Sequence, residues 1–516
     1  MLARTVTEAA RRFGDRTALV ATSGWELSYR DLDRLSDEAA VGLGGLGLGT
    51  GDVMALVLPP CPEHVVLYSA AAKLGAVTAG VNHRLTGGER DAVLSSARPR
   101  LVVGTDELVP AGGAVDAETV TITPDGTTGA ADALRGLRVA DAAPPPLPDD
   151  PDRPIAIVFT SGTTGLPKGA VFCGRQIDFI CGVDTGHVWA DADAPPAHSL
   201  AGTSLSHLGP TTKLAGNLHR GGTTHLVHRW QAADALRLTE RLRMPAVAGI
   251  PTQLALMLQR PELDELDLTC VRAIVVGGGP ATPSLVQEAR ERFGAPLAVR
   301  YACTEAGIGV GTAFDDPTAD AEESVGRAHG GVELSVRDGD GRPLSAGHVG
   351  EVSLRSPAVM SGYHHDPDAT AAAFWTDGAV RTGDLGFLDD TSRLHLVGRA
   401  KEMFVRGGYN VYPMEVEAVL ADHPGVTDVA VVPRPDAVMG EIGTAVVVAR
   451  PGRAAPTLEE LRAFASGRLA HHKLPEDLRI VDALPLTPME KVDRRALALT
   501  VAADRPADRR AGRSGW

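Results

Sequence analysis

Along the first three hundred residues, short apolar runs rich in β-branched side chains alternate with longer stretches whose apolar positions recur at helical spacing. Residues 1–20 read as an amphipathic helix, and the stretch from Trp25 follows with Ser28 and Asp31 placed to cap a second one. VMALVLPP (53–60) reads as a buried strand, HVVLYSAAAKLGAV (64–77) as a helix with small residues on a packed face, and LVVGT (101–105) as another strand. The proline-rich APPPLPDDPDRP (143–154) is a linker that delivers the chain to a further buried strand, Ile155 to Phe159. Two later strands, within VRAIVVGGGP (271–280) and PLAVRYACTEAG (296–307), run into glycines and into polar residues. Strands alternating with helices predict an α/β architecture with largely parallel sheets, whose ligands bind beyond the carboxyl ends of the strands. The ends of these last three strands are therefore expected on one rim.

From about residue 331 the pattern turns β-rich, with DGDGR (338–342) as a hairpin turn. A boundary falls near VGRAKEM (397–403). Beyond it a helix and a strand predict a small α+β domain ending near residue 500, and the charged, apolar-poor tail is expected to be disordered.

A chain of 516 residues exceeds what one core usually supports, so two or three domains are expected. A net charge of −15 argues against a general nucleic-acid binder, which needs a basic face to neutralise phosphates. Cys61, Cys173, Cys181, Cys270 and Cys303 are scattered without paired short spacings, which suits a reducing cytosol with neither disulfide framework nor zinc site. The start lacks the apolar core of a signal peptide, and no apolar run approaches the ~18 residues that cross a bilayer. A soluble, cytoplasmic protein with no membrane span is expected. No internal repeat is visible along the chain.

The most informative stretch is IAIVFTSGTTGLPKGA (155–170). A buried strand opens into Thr160, Ser161, Gly162, Thr163, Thr164 and Gly165, then Leu166, Pro167 and Lys168. Glycines let backbone N–H groups turn toward an anion, hydroxyls donate further hydrogen bonds, and lysine adds a point charge, which together suit a polyphosphate. The P-loop of nucleotide triphosphatases does not fit. Pro167 stands where its glycine should be, and Gly169 stands where Ser or Thr should bind magnesium.

In this order the residues resemble the signature loop of the adenylate-forming superfamily: acyl-CoA synthetases, aryl-CoA ligases, luciferases and peptide-synthetase adenylation domains. The resemblance extends over residues 10 to 500. It implies a large N-terminal domain (1–398) of stacked mixed and parallel sheets with helices and a β-rich subdomain, a small mobile α+β C-terminal domain (399–502), and a disordered tail (503–516). Thr160, Ser161, Gly162, Thr163, Thr164 and Lys168 would surround the phosphates of ATP. YACTE (301–305) matches the family's aromatic–small–x–Thr–Glu motif. Tyr301 would stack on adenine beside Ala302, Thr304 would contact the α-phosphate, and Glu305, with Thr164, would help to hold Mg2+. GGGP (277–280) resembles the adenine-binding turn, with Gly278, Gly279 and Pro280 along the base. Asp384 of RTGDLG would accept the ribose hydroxyls, Arg399 of GRAK would join it, and Lys401 is the hinge position. GEVSLRSPAVMSGY (350–363) matches a further motif and is expected to be structural.

The family's catalytic lysine precedes V-D-R, which assigns it to Lys491 in PMEKVDRR. Lys491 would bridge the substrate carboxylate and the α-phosphate and steady the charge that develops as one attacks the other. Glu490 stands where the family usually has glycine. FVRGGYNVYPMEVE (404–417) resembles the segment lining the coenzyme A channel, with Gly407 and Gly408 giving room to a thin ligand. The acyl pocket of the family maps to His207, Gly277, Arg300, Cys303 and Ala306, and His207 joins Lys491, Thr304 and Glu305 among the catalytic candidates. Many fatty- or aryl-acid ligases carry a small residue at the place of Arg300. Relatives that take malonate-like diacids carry arginine there, with a histidine near the place of His207, so a small or polar acid is favoured.

The resemblance thus implies an ATP- and Mg2+-dependent acid–thiol ligase. The acid would attack the α-phosphate to give acyl-AMP and pyrophosphate, the small domain would swing about Lys401, and coenzyme A would displace AMP. The alternative within enzymes passes the adenylate to a carrier protein, an amine or another nucleophile. The non-enzyme alternative, prompted only by Glu490, is an adenylate-binding relative without catalysis. Monomer and homodimer both stay open.

Overall fold

The computed structural model describes residues 1–109, 115–124, 129–160, 167–487 and 491–503. The chain forms two compact units. The first comprises Met1–Ala281, Leu285–Ser335 and Ser353–Thr382; the second comprises Thr282–Ser284, Val336–Val352 and the chain from Gly383 onward.

In the first unit the opening helix, Leu2–Phe13, is shorter than its pattern suggests. Gly14 breaks it with a left-handed φ of 49°, and Thr17–Val20, β-branched at both ends, becomes a strand. The next helix, Tyr29–Gly45, begins where expected: Ser28 is its N-cap, and its Oγ accepts the Asp31 N–H at 3.0 Å. Helix Pro62–Leu74 starts with proline in its first turn and ends at Gly75 in the left-handed conformation. It begins two residues earlier than expected because proline at a helix start needs no N–H partner.

Three sheets carry this unit. The largest has seven strands, in the order Gly362–Tyr363, Lys168–Cys173, Pro154–Thr160, Val77–Gly80, Val53–Val57, Leu101–Gly104 and Glu118–Thr121. Its last five strands are parallel, and its first two are antiparallel additions. A five-stranded sheet holds Ala246–Gly249, Ala273–Gly277 and Leu297–Tyr301 in parallel, then Val310–Gly311 and Arg327–Ala328 antiparallel. A four-stranded sheet adds Glu26–Ser28, Thr17–Val20, Thr223–Leu226 and His198–Ala201. The sheets are therefore mixed, with most of their pairings parallel. Each has a parallel centre built by crossover helices and an antiparallel edge built by short returns. The three strands expected to end on one rim lie in two different sheets. Local hydrophobic pattern identifies strands but carries no information on which sheet each joins.

In the second unit, Gly440–Ala449 pairs antiparallel with Val426–Asp436 and parallel with Asp477–Val481, and the hairpin Phe404–Arg406/Tyr409–Val411 extends the sheet. Helices Pro413–Ala421 and Leu458–Ala465 bury Val416, Leu420 and Leu461 against Phe404, Val431 and Val447. This matches the small α+β pattern of the sequence. The turn at 338–342 is also as expected: Asp338 N–H meets Arg342 O at 3.0 Å, and Gly341 supplies a φ of 82°. Among the described residues no helix is long and apolar enough to cross a membrane. The tail from 504 lies outside the described residues.

Candidate active site

The strand Pro154–Thr160 returns on itself as Lys168–Cys173, with Thr160 directly opposite Lys168. An antiparallel strand, not a helix, thus follows the glycine- and hydroxyl-rich loop, which separates it from a P-loop in structure as well as in spacing. Lys168 opens the returning strand. Ser161, Gly162, Thr163 and Thr164 lie outside the described residues.

In the five-stranded sheet, Gly277 ends its strand opposite Arg300. A Cβ on Gly277 would come within 2.7 Å of Arg300 O, so the close approach of the two strand ends requires glycine here. Gly278 then takes φ 81°, a left-handed turn that leads into Gly279 and Pro280. On the neighbouring strand Tyr301 is the last residue, Ala302 and Cys303 follow, and Thr304–Ala306 form a single 3-10 turn. The adenine-turn and YACTE residues are thus brought side by side. Ala306 is fully buried and Cys303 half-buried.

Glu305 is held from two sides by the segment ending at Tyr363. Its backbone oxygen accepts Met360 N–H at 2.9 Å, and its Oε1 accepts the Tyr363 hydroxyl at 2.6 Å. Burial, with the Glu305 charge beside it, pushes the Tyr363 phenol far above its ordinary value, so it stays a donor. The Lys168 ammonium stands 5.3 Å from the centre of the same ring. Sequence reasoning missed Tyr363 because its motif reads as structural. Glu305 suits Mg2+: a hard carboxylate whose second oxygen has no protein partner among the described residues can hold this ion with phosphates and water completing the shell.

His207 sits at the N-cap of helix Leu208–His219 with its Nε2 3.4 Å from Asn82 Nδ2. Arg300 donates from Nη1 to the backbone oxygens of Thr312 and Val299, and its guanidinium lies 5.9 Å from the Phe314 ring centre. It makes no ion pair among the described residues. Burial lowers its pKa, opposed by Asp184. Around it are groups that spacing gave no reason to single out. Lys213 pairs with Asp184 at 3.2 Å, and burial, with Arg300 and Lys213 nearby, pushes His329 below its ordinary value.

In the second unit residues 384–388 pair antiparallel with the strand Leu394–Arg399 and set Asp384 directly opposite Arg399. Asp384 is only 6% exposed, and its Oδ1 accepts Arg399 Nε at 2.9 Å. Gly383 bends the chain with φ 73°, and its carbonyl accepts Ala400 N–H, one residue before Lys401. Lys491 is in the same neighbourhood. Its side chain reaches solvent, yet the partial desolvation of its ammonium and the Arg399 guanidinium push it below the ordinary lysine value, and Asp384 opposes them. Three residues spread over a hundred positions are thereby gathered at one place. Glu490 lies outside the described residues. Gly407 and Gly408 take φ 55° and 89° in the two-residue turn of a hairpin, a conformation that needs positive φ at both places. Turn geometry alone therefore accounts for these glycines.

Residues 6–364 match the model of the AMP-binding enzyme family, and residues 415–491 match that of the AMP-binding enzyme C-terminal domain. A fatty acid–[acyl-carrier-protein] ligase, ScoC of Streptomyces coeruleorubidus, is 33% identical over 488 residues, covering 93% of each chain. A 4-coumarate–CoA ligase of Oryza sativa subsp. japonica is 31% identical over 516 residues, covering 94% of this chain and 89% of the other. The amide bond synthetase McbA from Marinactinospora thermotolerans superposes with a TM-score of 0.84 at 28% identity, over 97% of this chain and 100% of that one. The chain belongs to the AMP-binding enzyme family, within the adenylate-forming superfamily of acyl-CoA and acid ligases. It is an AMP-forming ligase: ATP-dependent adenylation of a carboxylic acid precedes ligation to an acceptor.

Proposed function

We propose that the chain is an acyl-CoA synthetase that activates a small or polar carboxylic acid. In this reading Thr160, the hydroxyls of 161–164 and Lys168 hold the ATP phosphates, Gly278 to Pro280 and Tyr301 hold adenine, and Asp384 and Arg399 hold the ribose. Thr304 contacts the α-phosphate. Glu305, with Thr164, would hold Mg2+, which when bound neutralises charge as pyrophosphate leaves. Lys491 donates to the attacking carboxylate and to the α-phosphate oxygens, favouring the charge distribution of the transition state. The second half-reaction has a small domain, 399–502, turning about Lys401, with coenzyme A entering past Gly407 and Gly408. A cytoplasmic location suits the thiol substrate.

The observation that carries the substrate reading is Arg300, a half-buried guanidinium with no carboxylate partner among the described residues, at the end of the strand that bears Tyr301. A second polar or anionic group on the acid would supply that partner. The test is pyrophosphate release over fatty, aryl, amino-aryl and dicarboxylic acids, each with and without coenzyme A. Small diacid turnover that falls at least tenfold in Arg300→Ala supports the reading; turnover of fatty or aryl acids indifferent to Arg300 overturns it. The likeness to a carrier-protein ligase and an amide bond synthetase favours one second reading. Pyrophosphate release without thioester formation would move the acceptor to a carrier protein or an amine.

A further inference from the structure

Tyr363 touches both charged groups of the first unit's nucleotide machinery. Its hydroxyl binds Glu305 Oε1, and its ring face meets the Lys168 ammonium. No ion pair joins Lys168 to Glu305 among the described residues. The ring between them is fixed by its surroundings. Tyr363 N–H donates to Thr370 Oγ1 at 2.8 Å, its backbone pairs with Ala170 on the strand that Lys168 opens, and its side chain packs against the cluster of Val158, Ala170, Phe172 and Met360. His364 N–H extends the tie to Gly169 O at 2.7 Å. One short segment, 360–364, therefore grips both the backbone of Glu305 and the strand carrying Lys168.

We propose that Tyr363 is a positioning residue that aims Glu305 through its hydroxyl and holds Lys168 on its ring face, so that the two charges meet a metal–nucleotide complex rather than each other. A lysine and a carboxylate that share one phenol would, without it, be free to pair, and each would then be neutralised before ligand arrives. Tyrosine is suited to this role because its apolar body packs, few rotatable bonds leave it rigid, and its tip donates to a carboxylate without carrying charge. The proposal rests on the reading that Glu305 holds Mg2+ and Lys168 the phosphates.

The experiment measures binding directly. Mn2+ affinity is followed by electron paramagnetic resonance in the presence of a non-hydrolysable ATP analogue, and binding of the same analogue without metal is followed by calorimetry. Tyr363→Phe keeps the ring and loses the hydroxyl. It is expected to weaken Mn2+ binding about 10-fold, as loss of a hydrogen bond to a metal-binding carboxylate does, with metal-free analogue binding unchanged. Tyr363→Leu is expected to weaken metal-free analogue binding as well, and adding Glu305→Gln to it should restore that binding by removing the carboxylate that captures Lys168. Should Tyr363→Leu fail to fold, Tyr363→Phe decides alone. If Tyr363→Phe binds Mn2+ like the parent protein while Glu305→Gln does not, the positioning role is wrong and the metal reading stands. If Glu305→Gln also binds Mn2+ like the parent, the metal reading itself falls.

Discussion

Asp384→Asn isolates the carboxylate proposed to receive the ribose. The change keeps the shape of a side chain that is 6% exposed and removes its charge. A hydrogen bond to a charged group contributes about 1.5–3 kcal/mol against about 0.5–1.5 for a neutral one, so two ribose hydroxyls lose about 2–3 kcal/mol together. At 1.4 kcal/mol per tenfold, that is a rise in the KM for ATP of about 30- to 150-fold. The cost to folding is smaller. Arg399, which bonds to Asp384, has a side chain 53% exposed, and an ion pair so open to water contributes under about 1 kcal/mol. ATP–pyrophosphate exchange at saturating acid measures the first quantity, and thermal unfolding the second. A change in KM below threefold, or a loss of ATP binding matched by a large drop in unfolding temperature, would refute the reasoning.

Variants at two other positions probe separate parts of the chain. Lys491→Ala should slow pyrophosphate release about 10²- to 10³-fold, the usual cost of removing a preorganised donor, while acyl transfer from a supplied acyl-adenylate persists. Because partial desolvation and Arg399 lower the Lys491 pKa from 10.5, and the ammonium is the active form, adenylation should fall as pH rises through a value below 10.5. Lys491→Arg should shift that alkaline limb upward, and an unmoved limb would remove Lys491 from the step. Far from the site, Glu38 is 1% exposed and accepts Arg138 at 2.6 Å and Arg34 at 3.0 Å. Burial raises its pKa, but the hydrogen bonds from Arg138, the Asp141 N–H and Arg34 outweigh it and leave the value below 4.5. Its stabilisation is therefore present above pH 4.5 and lost as pH falls through the lower folded value. Glu38→Gln should destabilise by about 2 kcal/mol at pH 7, with the deficit vanishing in acid; an equal deficit at both pH values in calorimetry would contradict the sign.

The strand ends at Gly277 and Tyr301 were legible because their signals are local: apolar β-branched residues running up to a polar stretch, and at Gly278 a glycine where φ is positive. Ser28 as a cap and Gly341 in a turn were legible for the same reason. Tyr363 was not, since its contact with Glu305 joins residues 58 positions apart and nothing about a tyrosine at the end of a short strand announces its partner. Lys213, Asp184 and His329 gather near Arg300 from separate helices and a loop, again without a local signal.

Pattern and motif alone determined the element types, the small α+β unit and the adenylating chemistry, because hydrophobic period and residue type act within a few positions of themselves. Fold decided which sheet each strand joined, that every sheet carries an antiparallel edge, and that Asp384, Arg399 and Lys491 stand together. Those outcomes depend on pairing and packing between distant segments, where the free energy lies in register and complementarity that no short window of sequence contains.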